Sequence, residues 1–276
     1  MPRISIIIPC YNQGHYLEDA LQSVWQYEDK SIYEIIIVND GSTEALTLNK
    51  LKELSDKGCN IINQSNKGLG AARNTGVKAA TGEYVLPLDS DNKIRPEYIS
   101  ESIKLLDGDP TLDVVYGNAE YFGEKAGVWE SGDFNLQRLM IENYIDACVV
   151  YRKSTWEKLG GYDEKMPVMG YEDWDFWLQI AFRNGKFKYV NKVMFDYRYA
   201  AKSMIRSVQS DKFSMINEYM EKKHSAYLNR AYLNKLALYK ATKSKGLAFN
   251  FAMRAIFPRV SNVLRKTGLM KKKDII

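Results

Sequence analysis

Four short strand-like runs each deliver the chain to a small polar cluster, and this repetition limits the possible folds severely. Ile4 to Pro9 runs into Tyr11-Asn12, and Glu34 to Val38 runs into Asp40-Gly41-Ser42-Thr43. The stretch near Asn60 to Gln64 runs into Asn66-Lys67-Gly68-Leu69-Gly70, and Glu83 to Leu88 runs into Asp89-Ser90-Asp91. The short β-branched runs read as strands buried on both faces. Helical patterns lie between them. Leu17, Leu21, Val24 and Trp25 share one face of the first, and Leu48, Leu51 and Leu54 are expected to face inward on the second, which Ser42 or Thr43 can cap. A third begins at Ala71-Ala72-Arg73-Asn74. Such alternation gives right-handed crossovers and a mainly parallel sheet with helices on both faces. Ligands of these sheets lie beyond the carboxyl ends of the strands, where the polar clusters sit.

The second half reads as mixed. A helix is expected near Pro96 to Leu106, strands near Val114 and Val149, a helix from Glu172 to Arg183, and a last strand from Phe187 to Tyr199. The expected organisation is a catalytic domain over 1–200, split into a nucleotide-binding half (1–95) and an acceptor-binding half (96–200), followed by a helical basic region over 201–276. Charge supports that boundary. Residues 201–276 hold 17 Lys or Arg against 4 Asp or Glu, although the whole chain is only +5. The 3 cysteines have no metal-ligand spacing, so they are expected as reduced, buried thiols. The opening Met1-Pro-Arg-Ile-Ser-Ile lacks a signal-peptide layout and no apolar run reaches membrane-span length. The expected location is cytoplasmic.

Asp89 and Asp91 stand at i and i+2, so both carboxylates can converge on one point. Two hard oxygen donors beside a nucleotide suit Mg²⁺ or Mn²⁺; a polar turn is the bland alternative. Asp40 with Pro9-Cys10-Tyr11-Asn12 can form a base pocket, Tyr11 stacking and the carboxylate accepting the N3–H of uracil. Lys67 and Arg73 flank a glycine-containing loop and a helix start, where cations and backbone N–H groups favour phosphate. Gly170-Tyr171-Glu172-Asp173-Trp174-Asp175 places three acids at a helix start, where they can complement the dipole or remove a proton from an acceptor hydroxyl. Trp174 and Trp177 could form a sugar-stacking wall.

In combination these segments resemble the family 2 glycosyltransferases of the GT-A fold. The resemblance covers roughly residues 3–200 and rests on Ser5 to Asn12, Val38 to Thr43, Asn66 to Asn74, Asp89-Ser-Asp91, and the Gly160-Gly-Tyr-Asp163 and Gly170-Tyr-Glu-Asp173 pair. It implies an inverting transfer from a nucleoside-diphosphate sugar, with UDP the leading base, to a glycan or lipid-linked acceptor. The implied nucleotide side is Pro9, Tyr11, Asp40, Lys67, Arg73, Asp89 and Ser90. Asp91 with Asp89 is the implied metal site, Asp173 the general base and Glu172 a sugar or acceptor contact. A metal-binding His found in some relatives is missing from Tyr197 to Arg206, and the Q-x-x-R-W motif and spans of processive synthases are absent from the sequence. Addition of one sugar at a time is therefore expected.

Residues 246–266 mix apolar bulk with Arg254, Arg259, Arg265 and Lys266, and Lys271-Lys-Lys273 follows. Such a cationic amphipathic region can lie on an anionic membrane surface. No nucleic-acid motif accompanies it. Two other functions fit the same sheet: a sugar-phosphate nucleotidyltransferase, though Pro9 to Gly14 lacks that class's cationic phosphate loop, and an inactive sugar-nucleotide-binding module.

Overall fold

The structure, a computed structural model, describes residues 1–200 and 210–227. The basic sequence over 246–266 and Lys271–Lys273 lies outside the described residues. The chain divides into two compact units, Met1–Leu139 with Asn143–Tyr219, and Met140–Glu142 with Met220–Ile276.

In the first unit, β1 (Ile4–Cys10), α1 (Gly14–Trp25), β2 (Tyr33–Asp40), α2 (Ala45–Asp56), β3 (Asn60–Gln64), α3 (Leu69–Ala79) and β4 (Tyr84–Pro87) alternate as the sequence predicts. After β5 (Lys93–Ile94) come α4 (Pro96–Gly108), β6 (Leu112–Gly123), β7 (Gly127–Trp129), α5 (Leu136–Leu139), β8 (Val150–Arg152), α6 (Lys153–Leu159), α7 (Glu172–Phe182) and β9 (Lys186–Tyr199). The last described helix, α8 (Ser210–Lys223), passes from the first unit into the second.

The sheet order is β3-β2-β1-β4-β8-β6-β9-β5, with β7 paired to β6. The first four strands are mutually parallel. Short β8 is antiparallel to both β4 and β6, and β6 runs parallel to β9. The main strands therefore run one way while β8 runs against them. The carboxyl ends of β1, β2, β4, β6 and β9 share one edge with the amino end of β8. Ile6, Ile8, Ile37, Leu86, Val115 and Val150 fill the core with Leu17, Leu21 and Val24 of α1.

Helix α2 departs from expectation. Leu48 is 43% exposed, while Thr47 is buried beside Leu51 and Leu54. Neither Ser42 nor Thr43 caps the helix, since Glu44 occupies the cap position without a side-chain bond. The side chain of Asn12 orders the turn leading into the helix, its Oδ1 accepting from the N–H of Thr43 at 2.8 Å and of Glu44 at 3.1 Å. Thr47 turns inward because its Oγ1 accepts from Gly14 N at 2.9 Å.

Candidate active site

The carboxyl edge of the sheet encloses a cavity of about 460 Å³. Its wall includes Pro9 near the end of β1 and Tyr11 just after it, Asp40 ending β2, Asp89, Ser90 and Asp91 after β4, and Tyr197 and Arg198 of β9. One sheet edge thus gathers most of the nucleotide and metal residues expected from sequence. Lys67, Arg73, Glu172 and Asp173 are not on that wall.

Asp40 is buried and heavily bonded. Its Oδ1 accepts from Gln64 Nε2 at 2.7 Å and from Lys67 N at 2.9 Å, and its Oδ2 accepts from Gly68 N at 2.9 Å. The carboxylate therefore shapes the loop after β3, and Lys67 meets it through its backbone. Gly41 is required in that turn: it has φ +74, and a Cβ there would stand 2.5 Å from Asn66 N. Tyr11 is 46% exposed, leaving ring surface free for stacking.

Ser90 is buried and donates to Gln13 Oε1 at 2.5 Å, which fixes the turn between the two aspartates. The Asp91 carboxyl is pushed up to about 6, first by burial and then by the Asp89 charge, with Arg198 opposing. Two carboxylates held against their mutual repulsion suit a divalent cation. Among the described residues no group of three His, Cys, Asp or Glu forms a fuller cation site.

Beyond the cavity wall lies a second layer. The Arg73 guanidinium is 1% exposed. Its Nη2 meets Asp89 Oδ1 at 2.7 Å and its Nη1 meets Glu172 Oε1 at 2.6 Å. The other Glu172 oxygen accepts from Gly170 N at 2.8 Å. Asp173 is 7% exposed, and its Oδ2 accepts from Asn143 Nδ2 at 3.0 Å. Burial and the Glu172 charge push its carboxyl up to about 7, against the pull of Arg73. A carboxyl poised there can exchange a proton near neutrality.

Trp174 and Trp177 do not form a sugar-stacking wall. They are 2% and 0% exposed, and Trp174 Nε1 donates to Leu139 O. Helix α7 is buried from Glu172 to Ala181, so both indoles belong to the core.

The sequence profile of Glycosyl transferase family 2 matches residues 5–178, more than half of the chain. The chain belongs to glycosyl transferase family 2. An uncharacterized family relative from Rickettsia prowazekii is 29% identical over 99% of this chain and 83% of its own length. The chondroitin synthase of Pasteurella multocida is 24% identical over 99% of this chain, which spans only 28% of that enzyme. Among solved structures, S. aureus TarS 1–349 in complex with UDP-GlcNAc has a TM-score of 0.65 at 19% identity, covering 99% of this chain and 77% of that one. The mannosyltransferase PcManGT from Pyrobaculum calidifontis, in complex with GDP-Man and Mn²⁺, has a TM-score of 0.59 at 18% identity, covering 99% and 82%. These likenesses establish the GT-A fold for this family 2 glycosyltransferase.

Sequence reasoning missed one acidic residue of this glycosyltransferase. Asp146, just before β8, is partly buried and accepts from Cys148 N at 2.8 Å. Burial and the charges of Asp89 and Asp173 push its carboxyl up to about 8. Because β8 runs against β4, the segment entering β8 arrives beside the segment leaving β4. No motif in the sequence marks that juxtaposition.

Proposed function

We propose that this family 2 glycosyltransferase moves a sugar from a nucleoside-diphosphate donor to a hydroxyl of a glycan or lipid-linked acceptor, with inversion by direct displacement. The observation that carries this reading is the meeting of Tyr11, Asp40, Asp89 and Asp91 around one cavity, with Arg73 joining Asp89 to the Glu172–Asp173 step behind it. UDP is the leading nucleotide, a reading supported by Tyr11 and Asp40 lining the same cavity. The UDP-GlcNAc and GDP-Man complexes of the two structural neighbours support nucleotide-sugar chemistry in general.

Tyr11 stacks on the base and Asp40 braces the loop beneath it. Asp91, with Asp89, would hold Mn²⁺ or Mg²⁺. When bound, that ion would neutralise charge on the departing nucleoside diphosphate. Asp173 in its deprotonated form accepts the acceptor hydroxyl proton, and Glu172 orders the turn that presents it.

No described helix is long and apolar enough to cross a membrane. Cytoplasmic action, with the basic C-terminal sequence resting on an anionic membrane surface near a lipid-linked acceptor, is part of the proposal and rests on sequence. A domain layout of catalytic residues 1–200 and a separate basic region belongs to it too. Membership of family 2 favours transfer over nucleotidyl transfer.

A panel of UDP-, GDP- and dTDP-sugars with Mn²⁺, read by nucleoside diphosphate released, tests the function. One donor class should be consumed, and chelation or Asp91→Asn should abolish the release. Release that persists after both would remove the metal from the reading, and no turnover of any donor with any candidate acceptor would overturn it.

A further inference from the structure

We propose that Arg73 is a positioning residue, a buried strut that holds the donor-side carboxylate Asp89 and the Glu172–Asp173 step at a fixed spacing, and that it does not hold phosphate. The inference builds on the proposed transfer reaction and replaces the phosphate role that sequence suggests for this arginine.

Both terminal nitrogens of the guanidinium are already engaged, Nη1 with Glu172 and Nη2 with Asp89. Arg73 is 1% exposed and stands behind the cavity wall, its two terminal nitrogens turned to carboxylates. Its two partners stand in different parts of the fold. Asp89 follows β4, while Glu172 begins α7, 99 residues from Arg73 along the chain. The strut continues through Glu172 Oε2 to the N–H of Gly170, whose neighbour Met169 lines the cavity.

The adjacent Asn74 fixes the arginine's own base. Asn74 Nδ2 donates to Tyr162 O at 2.9 Å, and its Oδ1 accepts from Tyr162 N at 2.8 Å and Trp156 Nε1 at 3.0 Å. The contact is close enough to demand glycine at 161, where φ is +88 and a Cβ would stand 2.6 Å from Asn74 Oδ1. Helix α3 is thereby clamped to the segment leading into α7, and Arg73 is its rigid projection toward Asp89.

Stability does not account for this arrangement. Burying an ion network is weak support for folding, because desolvation offsets the attraction. Nε of Arg73 has no hydrogen-bond partner among the described residues, a further cost. What a guanidinium offers is a planar fork that fixes two carboxylates in one geometry, which a lysine ammonium cannot reproduce. Transfer depends on that geometry, since small misplacements of reacting groups cost about 10²-fold in rate.

The test uses the full chain with Arg73→Gln, Arg73→Lys and Glu172→Gln. Glu172→Gln removes the bridge with an isosteric group and keeps the test decisive where Arg73→Gln fails to fold. Titration calorimetry with UDP and Mn²⁺ reads binding, released UDP reads kcat, and hydrogen exchange reads the strut directly. The expected result is UDP affinity within about 3-fold of wild type, kcat lower by about 10²-fold, and Arg73→Lys recovering only part of that loss. The double variant should lose no more than the worse single variant, because one bridge is removed twice. Faster exchange is expected at Gly170–Asp173 and at Ser90–Asn92. UDP affinity falling about 10-fold or more, additive losses in the double variant, or unchanged exchange at either end would overturn the proposal. Exchange is measured without turnover, so a failure of the strut is distinguishable from a failure of the transferase reading.

Discussion

As the proposed base, Asp173 takes its proton affinity from the groups around it. Burial and Glu172 raise its carboxyl to about 7, Arg73 opposes them, and Asn143 Nδ2 and Trp174 N donate to the carboxylate. Asp146, Tyr162 and Tyr171 face the same charge. A base must be deprotonated, and a raised carboxyl gains that form only as pH climbs through its folded value. The transfer rate is therefore expected to rise through about pH 7 and level off above it. Asp173→Asn should lower kcat by about 10²–10⁴-fold and abolish that limb while the melting temperature holds. A rate that is flat from weakly acidic to weakly alkaline pH, or full turnover by Asp173→Asn, would remove the residue from its role. At this scale the sequence was readable for position at the strand ends, where Tyr11, Asp40, Asp89 and Asp91 come to line one cavity. It was unreadable at Arg73, because a basic residue near a glycine loop looks the same whether it meets a phosphate or a pair of carboxylates.

Among the elements, α2 shows how a loop next to the cavity is built by its neighbour. Asn12 has φ +55 and leaves β1 in a left-handed turn that brings its amide to the start of α2. Asn12→Ala removes an acceptor from two N–H groups in the turn leading into α2 and should lower unfolding free energy by about 1 kcal/mol in a denaturant melt. A variant as stable as wild type would show that water serves those N–H groups equally well. The periodicity of α2 was legible at Leu51 and Leu54, which face inward, and failed only at Leu48, whose place is taken by Thr47 through its bond to Gly14 N. For α7 the acids at its start were legible, while the fate of its tryptophans was not. Aromatics at i and i+3 look alike on a core helix and on a sugar platform, and only burial on every side decides.

For the molecule as a whole, the parallel half of the sheet was legible from four strand–helix repeats, and the reversed strand was not. Val150–Arg152 has three residues, too few for periodicity to show direction, and its reversal is what brings Asp146 to the site. That reversal has a cost in pH dependence. An unfolded Asp146 loses its proton near pH 4, whereas the folded carboxyl keeps it to about pH 8. The folded chain then binds more protons across that window, so this residue makes stability fall as pH rises from about 4 to about 8. Asp146→Asn should flatten the slope, its advantage over wild type in thermal melts growing from pH 5 to pH 8. Equal gaps at both pH values would count against a partly buried Asp146 that keeps its proton in the folded chain.

The same strand has a mechanical consequence. β8 pairs two residues with β4 and two with β6, as few as join β5 to β9 and far fewer than join β1 to β2 or β6 to β9. A fabric stitched so sparingly yields along that line first. Arg73 adds a buried ionic stitch beside that seam, from Asp89 after β4 to Glu172 at the start of α7.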